Sequence, residues 1–268
     1  MNRHLADLEN ALKAQEEIAA RTADQRVVVF LDYDGTLTPI VARPELAVLS
    51  DSMRQKVRAL ADRLTVAVVS GRDRPDVEKL VGLDNLVFAG SHGFDIKVPG
   101  GKAIAHEMGG EYGPLLDEVK ARLHREVEPV PGSLIEPKRA SVAVHYRLVD
   151  EKDVGRIKAV VDDILAHHPE LRVTPGKKVW EIQPKIDWNK GKAVLWLLKA
   201  LDVDGDDVLP FYLGDDVTDE DAFRALWGRG IGIYVGRPGD AEAQRETAAD
   251  YVLDDVEEVG LFLDRLGR

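Results

Sequence analysis

The chain contains no cysteine, so disulfide bonds and thiolate chemistry are excluded. It also lacks any apolar run near the roughly 20 residues that a membrane-spanning helix needs. Its first residues are charged, whereas a signal peptide has an apolar centre. We therefore expect a soluble, cytoplasmic protein that does not enter a membrane.

Positive charge is scarce in this sequence. Lysine and arginine number 36 against 48 aspartates and glutamates, and the formal net charge is −12. Because nucleic acids attract basic surfaces, this balance argues against nucleic-acid binding. An anionic substrate would need a locally cationic pocket made of a metal ion, lysines or arginines.

Two aspartates follow an apolar, β-branched run at Val27–Leu31, which predicts a strand buried on both faces. In an extended chain, Asp32 and Asp34 would project to the same side, and Gly35 permits a sharp turn after them. Two neighbouring carboxylates repel each other unless a cation or a shared proton relieves the repulsion. A plain acidic turn is the alternative. A calcium loop is excluded, because Leu37 stands where that loop needs glycine.

Apolar runs alternate with amphipathic segments over most of the chain, which predicts an α/β fold with a Rossmann-like parallel sheet. Beyond the first strand, the expected strands are Leu64–Val69, Leu86–Ala89, Gly93–Val98, Val208–Leu213, Ile231–Val235 and Tyr251–Leu253. The expected helices are 3–20, Ser50 to about Arg63, Asp73–Leu80, Asn189–Leu201, Glu220–Trp227 and one at the C-terminus. Ligands of such sheets bind beyond the carboxyl ends of the strands.

The middle of the chain has a different pattern, typical of a small α+β unit with an antiparallel sheet. Its expected helices are Gly113–Val127 and Glu151–His168, and its expected strands are Ala140–Leu148 and Val179–Gln183, the second after a turn at Pro175-Gly176. Alternation along the first strand places Ser141, Ala143, His145 and Arg147 on one face. We expect residues 107–184 to form this inserted unit and residues 1–106 and 185–268 to form the core domain.

Polar groups recur at four corresponding places of the predicted core. Asp32 and Asp34 end the first strand, Ser70 ends the second, Lys190 begins a helix, and Asp215 ends a later strand. Each is ordinary by itself, since such residues often belong to turns and caps. Their combination suits phosphoryl transfer, in which carboxylates bind Mg²⁺ and one of them attacks phosphorus. A hydroxyl and an ammonium group can then hold the phosphoryl oxygens.

The motifs DYDGTL, SGR, Lys-Gly and GDD resemble the haloacid dehalogenase superfamily of aspartate-nucleophile phosphatases, and the insertion is similar to its type-2 cap. The resemblance implies that Asp32 is the nucleophile and Asp34 the acid and base. It implies phosphate binding by Ser70, Gly71 and Lys190. It implies Mg²⁺ binding by the side chains of Asp32 and Asp215 and the backbone carbonyl of Asp34, with Asp216 and Asp219 in a second layer.

Four stretches more closely resemble the trehalose-6-phosphate phosphatase family: DYDGTLTPI (32–40), SHGFDI (91–96), EPKRASVAVHYR (136–147) and KVWEIQPKIDWNKG (178–191). Ser91 and Asp95 depart from the Asn and Glu that the family often has beside its His-Gly. The resemblance implies that trehalose 6-phosphate is the substrate. We expect a monomer or a weak homo-oligomer. The implied sugar contacts are His92, Glu136, Lys138, Arg147, Lys178 and Glu181.

Several alternatives remain at this point. A related capped phosphatase could act on sucrose phosphate or mannosyl-phosphoglycerate, and a phosphomutase would share the core motifs. A sugar-phosphate sensor without catalytic activity belongs to a different functional class, and loss of a first-motif aspartate would indicate it. His92 and His145 could also be structural. The four tryptophans, at positions 180, 188, 196 and 227, are expected in the core rather than as sugar platforms.

Overall fold

The computed structural model describes residues 3–99, 110–138, 140–237, 239 and 245–267. The strands are β1 (Arg3–His4), β2 (Arg26–Leu31), β3 (Thr65–Val69), β4 (Val87–Gly90), β5 (Asp95–Lys97), β6 (Leu134–Pro137), β7 (Val142–His145), β8 (Leu171–Gly176), β9 (Val179–Pro184), β10 (Val208–Gly214), β11 (Ile231–Val235), β12 (Glu246–Thr247) and β13 (Tyr251–Leu253). The α-helices are α1 (Gln15–Thr22), α2 (Asp51–Ala61), α3 (Arg74–Val81), α4 (Gly113–Glu126), α5 (Glu151–His167), α6 (Lys190–Ala200), α7 (Glu220–Leu226) and α8 (Val256–Leu266).

The chain divides into two compact units. The first comprises Met1–Ala105 and Trp188–Arg268, and the second comprises His106–Asp187. The predicted start of the inserted unit, near residue 107, lies outside the described residues. Within the described part of the chain, no helix is both long and apolar enough to span a membrane.

A seven-stranded sheet organises the first unit, in the order β13-β11-β10-β2-β3-β4-β5. Its strand pairs are parallel except for β4 and β5, which are antiparallel. Along β2, Val29 and Leu31 belong to one apolar cluster and Val28 and Phe30 to another. Since alternate residues of a strand face opposite sides, helices cover both faces of the sheet. The expected α/β fold with a largely parallel sheet is therefore confirmed.

The N-terminal segment differs from the predicted helix over residues 3–20. β1 instead pairs with β12, a short 3-10 helix follows at Leu5–Asp7, and the α-helix begins only at Gln15. Asn10 lies between β1 and α1. Its side chain accepts a hydrogen bond from Leu12 N (2.9 Å) and donates one to Glu258 of α8 (2.7 Å). Contacts with the distant C-terminal region thus override a helical periodicity that the local sequence does contain.

The second unit contains an antiparallel sheet in the order β6-β7-β9-β8. Apolar side chains of α4 and α5 pack with Val142, Val144 and Ile182 of the sheet to form a separate core. An ion pair between Arg122 and Asp163 (2.6 Å) joins the two helices. This arrangement confirms the expected α+β character of the insertion.

Two details of the second unit correct the sequence-based expectation. β6 and β8 were not predicted, and Pro175-Gly176 lies inside β8 instead of forming a turn. The turn is at Lys177-Lys178, where Lys178 has a φ of 65°. β8 is an edge strand, so Pro175 does not have to donate a hydrogen bond to a further strand.

The tryptophans divide between interior and surface. Trp188 is buried, and Trp180 and Trp196 are half-buried. Trp180 stacks on Tyr146 with ring centroids 4.1 Å apart. Trp227 is 59% exposed, so its prediction as a core residue is wrong. The reason is local: α7 ends at Leu226, and the chain then turns through Gly228 at a φ of 78°.

Candidate active site

Three predicted site residues follow neighbouring parallel strands. Asp32 comes directly after β2, Asp215 directly after β10, and Ser70 directly after β3. β2 lies between β10 and β3, and the backbone N–H of Asp32 donates to Leu213 O at the end of β10 (2.9 Å). The three side chains therefore belong to the same carboxyl edge of the sheet, where ligands of such folds bind.

Lys190 joins this edge from the first turn of α6. Its ammonium donates to Asp32 Oδ1 (2.8 Å) and to Asp219 Oδ1 (2.7 Å), and its side chain is only 3% exposed. The helix begins at this position because the Asn189 side chain accepts a hydrogen bond from Lys192 N. A residue from a distant helix is thus bonded directly to the carboxylate that follows β2.

Asp219 organises the polar groups around Lys190. It is fully buried, and besides the ammonium its Oδ1 accepts from Tyr212 Oη (2.6 Å). Its Oδ2 accepts the backbone N–H groups of Asp215 (3.0 Å) and Asp216 (2.9 Å). Both oxygens of this carboxylate are therefore engaged, and one of them fixes the backbone that carries Asp215.

The charges in this network shift one another's pKa values. Burial raises the pKa of Asp32 well above its usual value, and Lys190 opposes that effect only partly. Burial would also raise the pKa of Asp219, but the Lys190 ammonium and the hydrogen bonds outweigh it and lower the pKa. Burial lowers the pKa of Lys190, but the two carboxylates outweigh it, so the net direction is upward. Lys190 is consequently a permanent cation at neutral pH.

The acidic cluster, defined as Asp32, Asp215 and Asp219, fits a divalent cation. Each member is buried and offers a carboxylate oxygen, and these oxygens lie within 4.8 Å of one another. When all three carboxylates are ionised, the single ammonium leaves two negative charges without compensation. A divalent cation that prefers oxygen ligands would neutralise them and favour the ionised form of Asp32. Asp219 lies close to the other two, but both of its oxygens already accept hydrogen bonds, so its expected place in a second layer stays a prediction.

Gly35 shapes the cluster from the loop after β2. A Cβ atom at this position would lie 2.1 Å from Asp215 Oδ2, and the φ of Gly35 is 85°. Only glycine tolerates both this positive φ and the lack of space for a Cβ atom without strain. The loop can therefore approach the Asp215 carboxylate closely.

Asp34 has a different partner from Asp32. Arg72 donates to both of its carboxylate oxygens, with distances of 2.7 and 2.8 Å. The same guanidinium contacts Asp76 (2.9 Å) and Pro44 O (2.8 Å), and its side chain is 7% exposed. The two bonds from Arg72 therefore fix the Asp34 carboxylate, and its side chain, which is 41% exposed, remains accessible to solvent. The expected metal contact through the Asp34 backbone carbonyl stays a prediction.

Sequence reasoning missed Arg72 and Tyr212. The sequence pattern points to the serine and the glycine of the SGR motif as phosphate-binding residues. Its arginine, Arg72, is the residue that donates two hydrogen bonds to Asp34. An arginine in a fixed fork is well suited to hold a carboxylate through two bonds. Tyr212 lies within an apolar strand and carried no sequence signal beyond its hydroxyl. Burial, followed by the charge of Asp219, raises its pKa well above its usual value, so it remains a neutral donor.

The Ser70-Gly71 turn lies against His92. Ser70 Oγ accepts from Arg72 N (3.1 Å), and Ser70 O accepts from His92 N (2.9 Å). A Cβ on Gly71 would lie 2.8 Å from His92 Cε1, so the imidazole ring covers the glycine. The predicted phosphate-binding turn and His92 are thus neighbours within the first unit.

The two residues that depart from the family pattern have partners of their own. Ser91 Oγ donates to Asp73 (2.7 Å), and Asp95 accepts from Arg74 (2.9 Å). Ser91 and His92 both have positive φ, 49° and 58°. For residues other than glycine this conformation is sparsely populated and tends to persist only where the surrounding bonds enforce it.

The family follows from comparison with known proteins. A family model described as trehalose-phosphatase matches residues 30–257. This chain belongs to the trehalose-phosphatase family. "Probable trehalose-phosphate phosphatase D" of Arabidopsis thaliana is 42% identical over 273 residues, covering 98% of this chain and 73% of the relative. The predicted resemblance to trehalose-6-phosphate phosphatases is thereby confirmed.

Solved structures agree with this membership of the trehalose-phosphatase family. The C-terminal domain of trehalose-6-phosphate phosphatase from C. albicans has a TM-score of 0.80 and 26% identity, covering 97% of this chain and 98% of that one. The C-terminal domain of a Candida albicans trehalose synthase regulatory protein has a TM-score of 0.75 at 16% identity, covering 98% and 100%. The second likeness concerns the fold alone.

Within this trehalose-phosphatase chain, the sugar contacts implied by the sequence lie mostly in the second unit. Glu181 is 8% exposed and accepts from Ser141 Oγ (2.5 Å) and from Lys138 Nζ (3.4 Å). Glu136 and the ring of His145 are 2.6 Å apart. Glu136 on β6 and Glu181 on β9 therefore lie on the two strands that flank β7, and Lys138, directly after β6, is bonded to Glu181.

Arg147 and Lys178 lie at the other end of the β7–β9 pair. β7 ends at His145, so Arg147 is in a turn and its expected place on the strand face is wrong. The Arg147 guanidinium donates to Lys177 O (2.6 Å), and Lys178 Nζ lies 5.9 Å from the centre of the Tyr146 ring. Neither contact joins these two residues to Glu181.

Proposed function

We propose that this chain is a Mg²⁺-dependent phosphatase that hydrolyses trehalose 6-phosphate to trehalose and inorganic phosphate. Membership of the trehalose-phosphatase family and the names of its relatives support the substrate. The observation that carries the proposal is the bond from buried Lys190 to Asp32 inside a cluster of three carboxylates. Such a group can bind a phosphate together with a divalent cation.

Asp32 would act as the nucleophile. Its carboxylate attacks phosphorus, the bond from phosphorus to the sugar oxygen breaks, and an aspartyl-phosphate forms. Lys190, already bonded to Asp32 Oδ1, is placed to offset the charge of the phosphoryl oxygens. Asp32 and Asp215 would hold Mg²⁺ through their side chains and Asp34 through its backbone carbonyl, with Asp219 in a second layer, and the bound cation would reduce the repulsion between phosphate and carboxylate.

Asp34 would move the protons. It donates a proton to the departing sugar oxygen, and it recovers one from the water that attacks the aspartyl-phosphate and releases phosphate. Arg72 orients its carboxylate, and the partial exposure of Asp34 allows proton exchange with solvent. Ser70 and the N–H of Gly71 would bind phosphoryl oxygens, and Asp216 would act through its backbone contact with Asp219.

The second unit would supply donors and acceptors for sugar hydroxyls, chiefly Glu136, Lys138 and Glu181. Arg147, Lys178 and His92 are proposed as additional contacts. If Glu181 binds the sugar, Glu181→Gln raises KM for trehalose 6-phosphate, with little effect on hydrolysis of p-nitrophenyl phosphate, which lacks the sugar. An equal loss with both substrates would contradict this role.

Release of phosphate from trehalose 6-phosphate, with and without magnesium, tests the main proposal. Wild type should turn over only with the metal, Asp32→Asn should be inactive, and exposed Asp24→Asn should match wild type. Faster release from sucrose phosphate or mannosyl-phosphoglycerate would overturn the substrate, and dependence on a bisphosphate activator would indicate a mutase. Light scattering on the same samples tests the proposed monomer or weak homo-oligomer.

A further inference from the structure

Tyr212 is a buried polar residue to which the proposed mechanism gives no role. It lies inside β10, where the other side chains are apolar, and its ring packs edge-on against Phe223 with centroids 5.7 Å apart. A hydroxyl buried in such surroundings destabilises the fold unless it is hydrogen-bonded. Its partner is Asp219 Oδ1, at 2.6 Å.

That carboxylate oxygen also binds the ammonium of Lys190. Lys190 lies 2.7 Å from Asp219 Oδ1 and 2.8 Å from Asp32 Oδ1, so two carboxylates share one cation. The Tyr212 hydroxyl donates to one of these two competing oxygens and not to the other. A hydrogen bond to a carboxylate draws charge from its oxygen and weakens its attraction for a second donor. Tyr212 therefore limits how strongly Asp219 attracts Lys190.

We propose that Tyr212 is a positioning residue that keeps the Lys190 ammonium shared between Asp219 and Asp32. Without the hydroxyl, Asp219 attracts the ammonium more strongly and draws it away from Asp32 and from the phosphoryl group. The loss falls on the step in which charge develops on phosphoryl oxygens, because that is where Lys190 is needed. This inference rests on the proposed phosphatase chemistry but not on the identity of the sugar.

Tyr212→Phe removes the hydroxyl and keeps the ring that packs on Phe223. The matched control is Tyr251→Phe, because Tyr251 is also buried and also donates to a carboxylate, Glu17, at 2.8 Å. Both variants lose a similar hydrogen bond, but only one loses it beside Lys190. For wild type and both variants, kcat and KM are measured with trehalose 6-phosphate and p-nitrophenyl phosphate. Orthovanadate binding is measured by calorimetry in saturating magnesium.

Loss of a hydrogen bond to a charged group predicts a kcat for Tyr212→Phe roughly tenfold lower with both substrates, at nearly unchanged KM. Orthovanadate, which can adopt the five-coordinate arrangement of the transition state, should bind about tenfold more weakly. Tyr251→Phe should keep wild-type kinetics and vanadate affinity, although its thermal stability should fall by about as much as that of Tyr212→Phe.

Three results would overturn the inference. The first is an unchanged kcat and vanadate affinity in Tyr212→Phe, and the second is the same kinetic loss in Tyr251→Phe. The third is a Tyr212→Phe variant that needs more magnesium but reaches the wild-type kcat at saturation, which would assign Tyr212 to the metal site. Failure of the proposed substrate is recognised separately. In that case wild type hydrolyses p-nitrophenyl phosphate but not trehalose 6-phosphate, and the comparison of variants continues with the former.

Discussion

Replacing Lys190 with methionine tests the electrostatics of the site in the absence of substrate. Methionine fills much the same space but removes the ammonium, which bonds to Asp32 and Asp219 and is almost fully buried. The acidic cluster would then hold three carboxylates with no cation beside them. Breaking a buried ion pair by removing one partner destabilises a protein by about 3–5 kcal/mol. Solvent screening offers little relief, because the lysine side chain is only 3% exposed.

The pH dependence of this loss has a definite sign. The pKa of Lys190 is raised above 10.5 in the folded protein, so its contribution is complete at any lower pH and is lost only as pH rises through the raised value. The pKa of Asp219 is lowered below 3.8, so its contribution is present above that value and is lost as pH falls. As pH falls, Asp32 loses its charge first, because burial raises its pKa well above the usual value, and Asp219 loses its charge only below about pH 4. The difference in unfolding free energy between wild type and variant therefore shrinks as the pH falls.

Thermal unfolding in EDTA, followed by circular dichroism, measures this difference. For a chain of this size about 3–5 kcal/mol corresponds to a midpoint lower by roughly 6–20 °C. Lys199→Met is the control, because Lys199 is exposed on the same helix. Magnesium should raise the midpoint of Lys190→Met more than that of wild type, since the cation supplies the missing charge. A variant that melts with wild type in EDTA near neutrality would refute this electrostatic account.

Three further substitutions probe separate contacts. Gly35→Ala should displace the Asp215 carboxylate and raise the magnesium concentration for half-maximal activity about tenfold or more, which a magnesium titration measures. Arg72→Lys keeps the charge but loses the two-point grip on Asp34, so kcat should fall at least about tenfold, and a kcat near that of wild type would contradict the positioning role. Asn10→Ala should lower the unfolding free energy by about 2 kcal/mol in urea titrations and leave kcat unchanged, because it breaks only the two bonds of the Asn10 side chain, to Leu12 and Glu258.

The parallel sheet was predictable because its strands are short, β-branched and buried on both faces. Val27–Leu31 and Ile231–Val235 carry that signal in the residues themselves. β8 was not predictable in this way, because Pro175-Gly176 has the composition of a turn. Its place at a sheet edge, which the local sequence does not reveal, allows the proline in a strand.

The site shows a similar division between local and long-range information. Asp32, Lys190 and Asp215 stand at strand and helix ends, so topology alone predicts that they meet. The different partners of Asp32 and Asp34 were not predictable by alternation, because β2 ends at Leu31 and the two aspartates follow it in a loop. The partner of Asp34 is Arg72, 38 positions along the chain, and such a pairing is set by the tertiary fold.

A shared fold does not decide between a phosphatase and a sensor, since a regulatory protein has this fold as well. The carboxylates are more informative. A site that only bound a phosphate dianion would bind it better without Asp32, whose charge repels the ligand. A phosphatase keeps that carboxylate because it attacks phosphorus. Asp32→Asn should therefore show no turnover with magnesium. In calorimetry without magnesium, where wild type does not hydrolyse the ligand, the variant should bind trehalose 6-phosphate at least as tightly as wild type. Loss of binding together with turnover would indicate that Asp32 holds the site together and would remove the basis for calling it the nucleophile.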